Sequence, residues 1–145
     1  MISEKKIDNY IISNDRAKLD VNYIHYFLST ESYWAKNIPI ELVNTSIEGS
    51  FCFGVYHQGK QIGFARVITD YATFGYLADV FIDKNYRGKG LSKELMKFIM
   101  EQEVIKKLRR FMLATLDAHS LYAQFGFESQ EGNKRFMSIK FFEEY

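Results

Sequence analysis

The sequence predicts one mixed α/β domain of the α+β type: a mostly antiparallel sheet flanked by helices, with one parallel pair of strands. Three observations predict it. Apolar residues switch between the alternating pattern of strands and the 3.6-residue pattern of helices. The strand-like runs between Phe51 and Ile82 are joined by short connections, which suit antiparallel neighbours. A helical stripe then separates Tyr76–Ile82 from Arg109–Leu116, as a right-handed crossover between parallel strands requires.

The elements follow in chain order. YIIS (Tyr10–Ser13) reads as a short strand. Asp20 can cap a first helix whose apolar stripe includes Ile24, Phe27 and Leu28. Pro39 suits the first position of a second helix, with Leu42, Val43 and Ile47 facing the core and Gly49 closing it. FCFGVY (Phe51–Tyr56) and QIGFARVIT (Gln61–Thr69) form a hairpin through Gly59, and YLADVFI (Tyr76–Ile82) completes a meander. Leu91, Leu95, Phe98 and Ile99 lie on one face of a helix. RRFMLATL (Arg109–Leu116) is the next strand, Asp117 caps a short helix ending near Gly126, and KRFMSIKFF (Lys134–Phe142) is a final strand.

Composition bounds the function. The 145 residues suit one domain spanning 1–145, and an apolar content of 47% supplies a core. With 19 basic against 18 acidic residues the net charge is +1, which argues against a nucleic-acid binder. A lone cysteine, Cys52, allows no intrachain disulfide. No apolar run reaches the ~20 residues of a membrane span, and MISEKKIDNY does not read as a signal peptide. A cytoplasmic protein without a membrane partner is therefore expected.

The stretch YRGKGLSKEL (Tyr86–Leu95) stands where strand becomes helix. A helix N-terminus presents unpaired N–H groups and a partial positive charge, and glycines let a bulky anion approach. Lys84, Arg87, Lys89 and Lys93 add cations with no acid between them. A diphosphate site is one reading; an ordinary turn with solvated lysines is the other. The P-loop and dinucleotide patterns both fail, because Lys89 lies between the glycines and Lys93 replaces the third glycine.

VFIDKNYRGKGLSKELM resembles the acyl-CoA-binding signature of the GNAT superfamily of N-acetyltransferases, Gln/Arg-x-x-Gly-x-Gly/Ala, departing from it at Asn85. LYAQFGF (Leu121–Phe127) is similar to the family's Leu-Tyr-x-x-x-Gly-Phe segment. The resemblance implies a parallel pair splayed around acetyl-CoA. It implies a diphosphate held by Arg87, Gly88, Lys89, Gly90, Leu91 and Ser92, and a pantetheine arm paired with the backbone of Val80, Phe81 and Ile82. An N–H there would face the thioester oxygen. Tyr122 would hydrogen-bond the departing thiolate.

The base has several candidates. The glutamate that related enzymes carry on this strand is replaced by Tyr76 or Ala78. Asp79 is a candidate base, a structural carboxylate or a partner for a nearby side chain; strand alternation turns it away from the Val80 face unless a bulge intervenes. His119 is a base or relay, or a polar residue of a first helical turn, and a water chain is the remaining route. Tyr33 and Trp34, beyond the first helix stripe, line an acceptor pocket or pack.

The function implied is transfer of acetyl from acetyl-CoA to a primary amine, by direct attack in a ternary complex and without a metal. Cys52 has no positioned base, so no acyl-cysteine is expected. A non-catalytic acyl-CoA-binding or regulatory module of the same fold is the alternative, and an interaction domain with a basic turn a third reading. The acceptor is a small-molecule or peptide amine of open identity, and a homodimer is equally open.

Overall fold

The computed structural model describes residues 1–145. Six strands lie in sequence order across one sheet. They are β1 (Glu4–Ile7), β2 (Tyr10–Ser13), β3 (Ser50–His57), β4 (Lys60–Thr69), β5 (Phe74–Ile82) and β6 (Arg110–Leu113). The first five are antiparallel, and β6 runs parallel to β5. The meander turns tightly between β3 and β4, where Gln58 and Gly59 both take positive φ.

Five helices cover the two faces: α1 (Val21–Tyr26), α2 (Ile40–Glu48), α3 (Leu91–Met100), α4 (Glu103–Lys107) and α5 (His119–Ala123). Strand alternation sends neighbouring side chains into opposite cores. On one face Phe53, Val55, Ile62 and Val67 meet Leu95, Met96 and Ile99 of α3. On the other, Cys52, Phe64 and Phe81 meet Ile24, Phe27 and Val43. The rings of Phe27 and Phe81 stack 3.7 Å apart, which fixes the end of α1 over the middle of the sheet. Each fully buried apolar side chain of these layers contributes ~1.5–3 kcal/mol.

The predicted α1 forms with Asp20 as its cap, whose carboxylate accepts from Tyr23 N–H at 3.0 Å. The helix widens into a π turn over Phe27–Glu31, which delivers Phe27 and Leu28 to the core. Leu91, Leu95, Phe98 and Ile99 are all buried, as their spacing predicts.

Several expectations are corrected. Pro39 precedes α2 as its cap, not its first residue. Leu42 is 46% exposed, because a nine-residue helix lying on a sheet buries one stripe, that of Val43 and Ile47. Asp117 does not cap α5; Ala118 occupies that position, and its N–H donates to Thr115 Oγ1 at 3.0 Å. The strand expected over Arg109–Leu116 stops at Leu113. Lys134–Phe142 forms no strand: it lies against β6 only through Phe136 and exchanges no backbone hydrogen bonds with it. The hairpin strand β1 and the helix α4 were not foreseen. No helix is long and apolar enough to cross a membrane.

Burial also sets the alkaline stability. It pushes the Cys52 thiol from 9.0 up to about 11 and raises the hydroxyls of Tyr23, Tyr56 and Tyr122. These acids are neutral when folded, so their contribution is complete below the unfolded pKa. It is lost as pH rises towards the folded values. The urea midpoint is expected to fall from pH 9 upward, and Cys52→Ala should make the decline between pH 9 and 11 shallower by up to ~3 kcal/mol. An unchanged slope would rule the thiol out as a contributor.

Candidate active site

The cleft originates in a mismatch of strand lengths. β5 pairs with β6 only from Phe74↔Arg110 to Leu77↔Leu113. β5 then continues to Ile82 while β6 ends, so the edge from Ala78 to Ile82 has no neighbouring strand. The β4–β5 register slips by one residue between Phe64 and Arg66. Asp79 supplies the extra residue, with a left-handed φ of 54°. This bulge resets the alternation of β5 just beyond its last pair with β6. A cavity of about 1020 Å³ opens between Ala78–Ile82 and Leu113–Ala118.

At one end of the cleft lies the glycine turn. Asp83 accepts from Asn85 N–H at 2.9 Å and starts a single 3-10 turn over Lys84–Tyr86. Arg87 Nε donates to the Ile82 carbonyl at 3.1 Å, tying the turn to the strand end. Gly88 and Gly90 have φ of 77° and 76°, where an L side chain is strained. No heavy atom lies within 4 Å of a Cβ built on either, so both present bare backbone to open space. Gly90 caps α3, and no side chain takes up the free N–H groups of its first turn. Lys84, Lys89 and Lys93 are exposed around them. Glu94 in that turn is offset by Lys97 at 3.2 Å and Lys5 at 3.7 Å. Leu91 is buried, so only its backbone faces the turn, whereas Ser92 reaches the cleft. Free donors, cations and missing Cβ atoms together fit a diphosphate.

Tyr122 forms the opposite wall. Its carbonyl accepts from Phe125 and Phe127 N–H at 2.9 and 3.3 Å, which closes α5 and directs the LYAQFGF segment back over β6. The Tyr122 ring is 8% exposed and borders the cleft. Burial raises its pKa, with Tyr33 and Asp117 adding to the rise, so the hydroxyl keeps its proton. His119 is exposed and lines a separate groove along the outside of β6; it does not line the cleft.

Between these ends lies an aromatic and charged wall. The rings of Tyr33 and Trp34 meet edge-on at 5.0 Å, both partly exposed in the cleft. Trp34 Nε1–H donates to Asp79 Oδ1 at 2.8 Å. Asp79 Oδ2 accepts from Arg66 Nε at 2.6 Å, and Arg66 Nη1 donates to Ser50 Oγ at 3.0 Å. Both members of the ion pair are largely buried, at 16% and 10% side-chain exposure. Arg66 went unrecognised in the sequence, although a lone cation inside the apolar run QIGFARVIT signals a buried partner. Glu31 and Asp117 also border the cleft, and neither is in an ion pair. No cluster of three or more potential metal-binding side chains occurs.

Comparison with known proteins gives the same architecture. Residues 48–129 match the family described as the acetyltransferase (GNAT) domain. A crystal structure of a protein assigned to that family from Xanthomonas campestris is 45% identical, with a TM-score of 0.89 over 93% of this chain and 95% of its own. A protein from Gibberella zeae named as an acetyltransferase is 31% identical, covering 80% of this chain and 77% of its own. A spermine/spermidine N(1)-acetyltransferase of Bacillus subtilis is 31% identical over 52% of this chain and 57% of its own. With its splayed strands, its glycine turn and these relatives, the chain belongs to the GNAT family of acetyltransferases.

Proposed function

We propose that the protein is an acetyl-CoA-dependent N-acetyltransferase whose acceptor is a cationic primary amine. The observation that carries this reading is the unpaired β5 edge, Ala78–Ile82, leading directly into the Gly88–Gly90 turn. That edge offers an extended donor arm strand-like hydrogen bonds, and the turn offers its diphosphate free N–H groups.

When bound, acetyl-CoA supplies an activated acyl group. The chain's residues do the rest. The Arg87–Ser92 turn holds the diphosphate by its backbone, while Val80 and Phe81 align the arm. Ile82 contributes through its N–H, since Arg87 occupies its carbonyl. A β5 N–H facing the thioester oxygen stabilises negative charge there. Tyr122 donates a hydrogen bond to the leaving sulfur. Asp79 holds Trp34 and Arg66 in place, and is assigned that positioning role instead of the role of base. His119, in its separate groove, is assigned no step. Freeing an amine of pKa ~10.4 at pH 7 costs ~4–5 kcal/mol, and with Asp79 engaged by Arg66 and Trp34 and His119 outside the cleft, water is the route left for the ammonium proton.

The acceptor side favours cations. Tyr33 and Trp34 present ring faces and edges, and Glu31 and Asp117 add unpaired carboxylates. The spermine/spermidine acetyltransferase among the relatives is consistent with a polyamine-like acceptor.

Thiol release from acetyl-CoA across a panel of amines tests the reading. Polyamines and diamines should give the fastest release and neutral-headed amines the slowest. Binding of acetyl-CoA with no thiol release from any amine would favour the acyl-CoA-binding module instead. The cradle has its own test. Gly90→Val is expected to weaken acetyl-CoA at least tenfold by calorimetry, since its side chain would fill the anion's position. Strain at the αL position costs a further ~1–2 kcal/mol of stability. Unchanged affinity would move the diphosphate elsewhere.

A further inference from the structure

The glycine turn must hold its N–H groups aimed at one point if it is to bind an anion tightly, since ordering them at the moment of binding costs affinity. Little inside the turn supplies that order. No backbone N–H from Arg87 to Gly90 is engaged within the chain, and a Cβ built on either glycine would meet no packed atom. Glycine also has the widest choice of backbone angles. From Lys84 to Gly90 every residue is exposed except Tyr86. The cradle is therefore strung between two packed points, Tyr86 before it and the buried Leu91 after it. Leu91 is seated in the core beneath α3. What seats Tyr86 comes from the far side of the hairpin.

Strand alternation sends Phe53, Val55 and then His57 of β3 to the α3 side of the sheet, and Tyr10 of β2 stands directly opposite His57. The Tyr10 and His57 rings lie 4.9 Å apart. The Tyr86 ring meets both edge-on, at 5.3 Å from His57 and 6.3 Å from Tyr10. The Tyr86 hydroxyl and His57 Nδ1 are 3.1 Å apart, a hydrogen bond open to either His tautomer because a phenol both donates and accepts. β3 is paired on both sides, so His57 stands on a rigid support.

We infer that His57 is a positioning residue for the donor diphosphate, acting through Tyr86, with Tyr10 packed against both rings. The role rests on the acetyl-CoA reading above. The His57–Tyr86 bond fixes the residue that enters the cradle relative to the sheet whose β5 edge aligns the arm. Both halves of the donor are thus referred to one frame. Without the bond the N–H groups remain but lose their common aim, so the loss falls on diphosphate affinity.

Calorimetry of CoA on the full chain tests this with the wild type, His57→Leu, Tyr86→Phe and the double variant. Each single change should weaken CoA ~3–10-fold, the size of one hydrogen bond. The double variant should be no weaker than the worse single one, because both changes remove the same bond. His57→Asn, which places an amide near the Nδ1 position, should recover most of the loss. Pantetheine, which lacks the diphosphate, should bind the four proteins alike in an NMR titration, whereas a generally loosened fold would lose both ligands. Unchanged CoA affinity, additive losses, or an equal loss for pantetheine would each overturn the positioning role and leave the function standing. A wild type that binds no CoA would overturn the function itself, and this role with it.

Discussion

Tyr122→Phe is expected to lower turnover by about 10²–10³-fold while acetyl-CoA affinity changes less than twofold, as proton donation in a transition state is worth ~10²–10⁴-fold. The ring stays in place because its neighbours are apolar: Phe127 lies 6.0 Å away, and Tyr122 is built into the larger core. Only the hydroxyl is removed. A phenol of ordinary pKa ~10, raised here by burial, is a weaker acid than a thiol near ~8.5, so complete transfer to the sulfur is uphill. The hydroxyl therefore acts as a hydrogen-bond donor to developing charge, an interaction absent in the ground state. That is why kcat should fall and binding should not. The raised pKa also fixes a sign. Burial favours the protonated donor form, so any alkaline loss of activity due to Tyr122 should lie on the high-pH side of an ordinary phenol's titration. Single-turnover thiol release with the variant, beside calorimetry, separates the two effects. A variant as fast as the parent would remove Tyr122 from the chemistry.

Much of this geometry was legible in the sequence because it follows from local periodicity. The α3 stripe, the meander and the glycine turn each depend on residues close in the chain. The αL conformations of Gly88 and Gly90 are available to few other residues, so the sequence itself points to a special backbone there. What was not legible is what depends on partners distant in sequence. Trp34, Arg66 and Asp79 form one network from three separate segments, and no spacing rule joins them. The side of β5 on which Asp79 falls depends on a single bulge, which reverses the alternation that strand geometry predicts. The final segment shows the opposite failure. Lys134–Phe142 has the composition and alternation of a strand, yet it forms no ladder with the free edge of β6, because alternation alone does not set the backbone pairing. His119 and Tyr122 share a short helix, but two cavities divide that helix, and helical spacing does not reveal such a division.

Asp79→Ala is expected to be the most destabilising single change near the site, by ~3–5 kcal/mol, because it leaves the Arg66 guanidinium in a largely buried position without its carboxylate. Alanine at a φ of 54° adds ~1–2 kcal/mol of backbone strain. Two further variants separate these contributions. Asp79→Asn tolerates the left-handed backbone and still accepts from Trp34, so it should lose mainly the charge interaction. Arg66→Met combined with Asp79→Asn removes both charges and should recover much of the loss, since an uncompensated buried charge costs more than an absent pair. Urea unfolding of the wild type, Asp79→Asn, Arg66→Met and the double variant gives the coupling directly. The same set decides the role of the carboxylate. A positioning residue acts through Trp34, so Asp79→Asn should raise the KM for the amine and leave the pH dependence of kcat unchanged. A general base would instead lose kcat and the pH-dependent limb together. The ion pair already commits one carboxylate oxygen to Arg66 and the other to Trp34. Protonating the carboxylate would remove the charge that offsets the Arg66 guanidinium and weaken both bonds, so the geometry favours the first outcome.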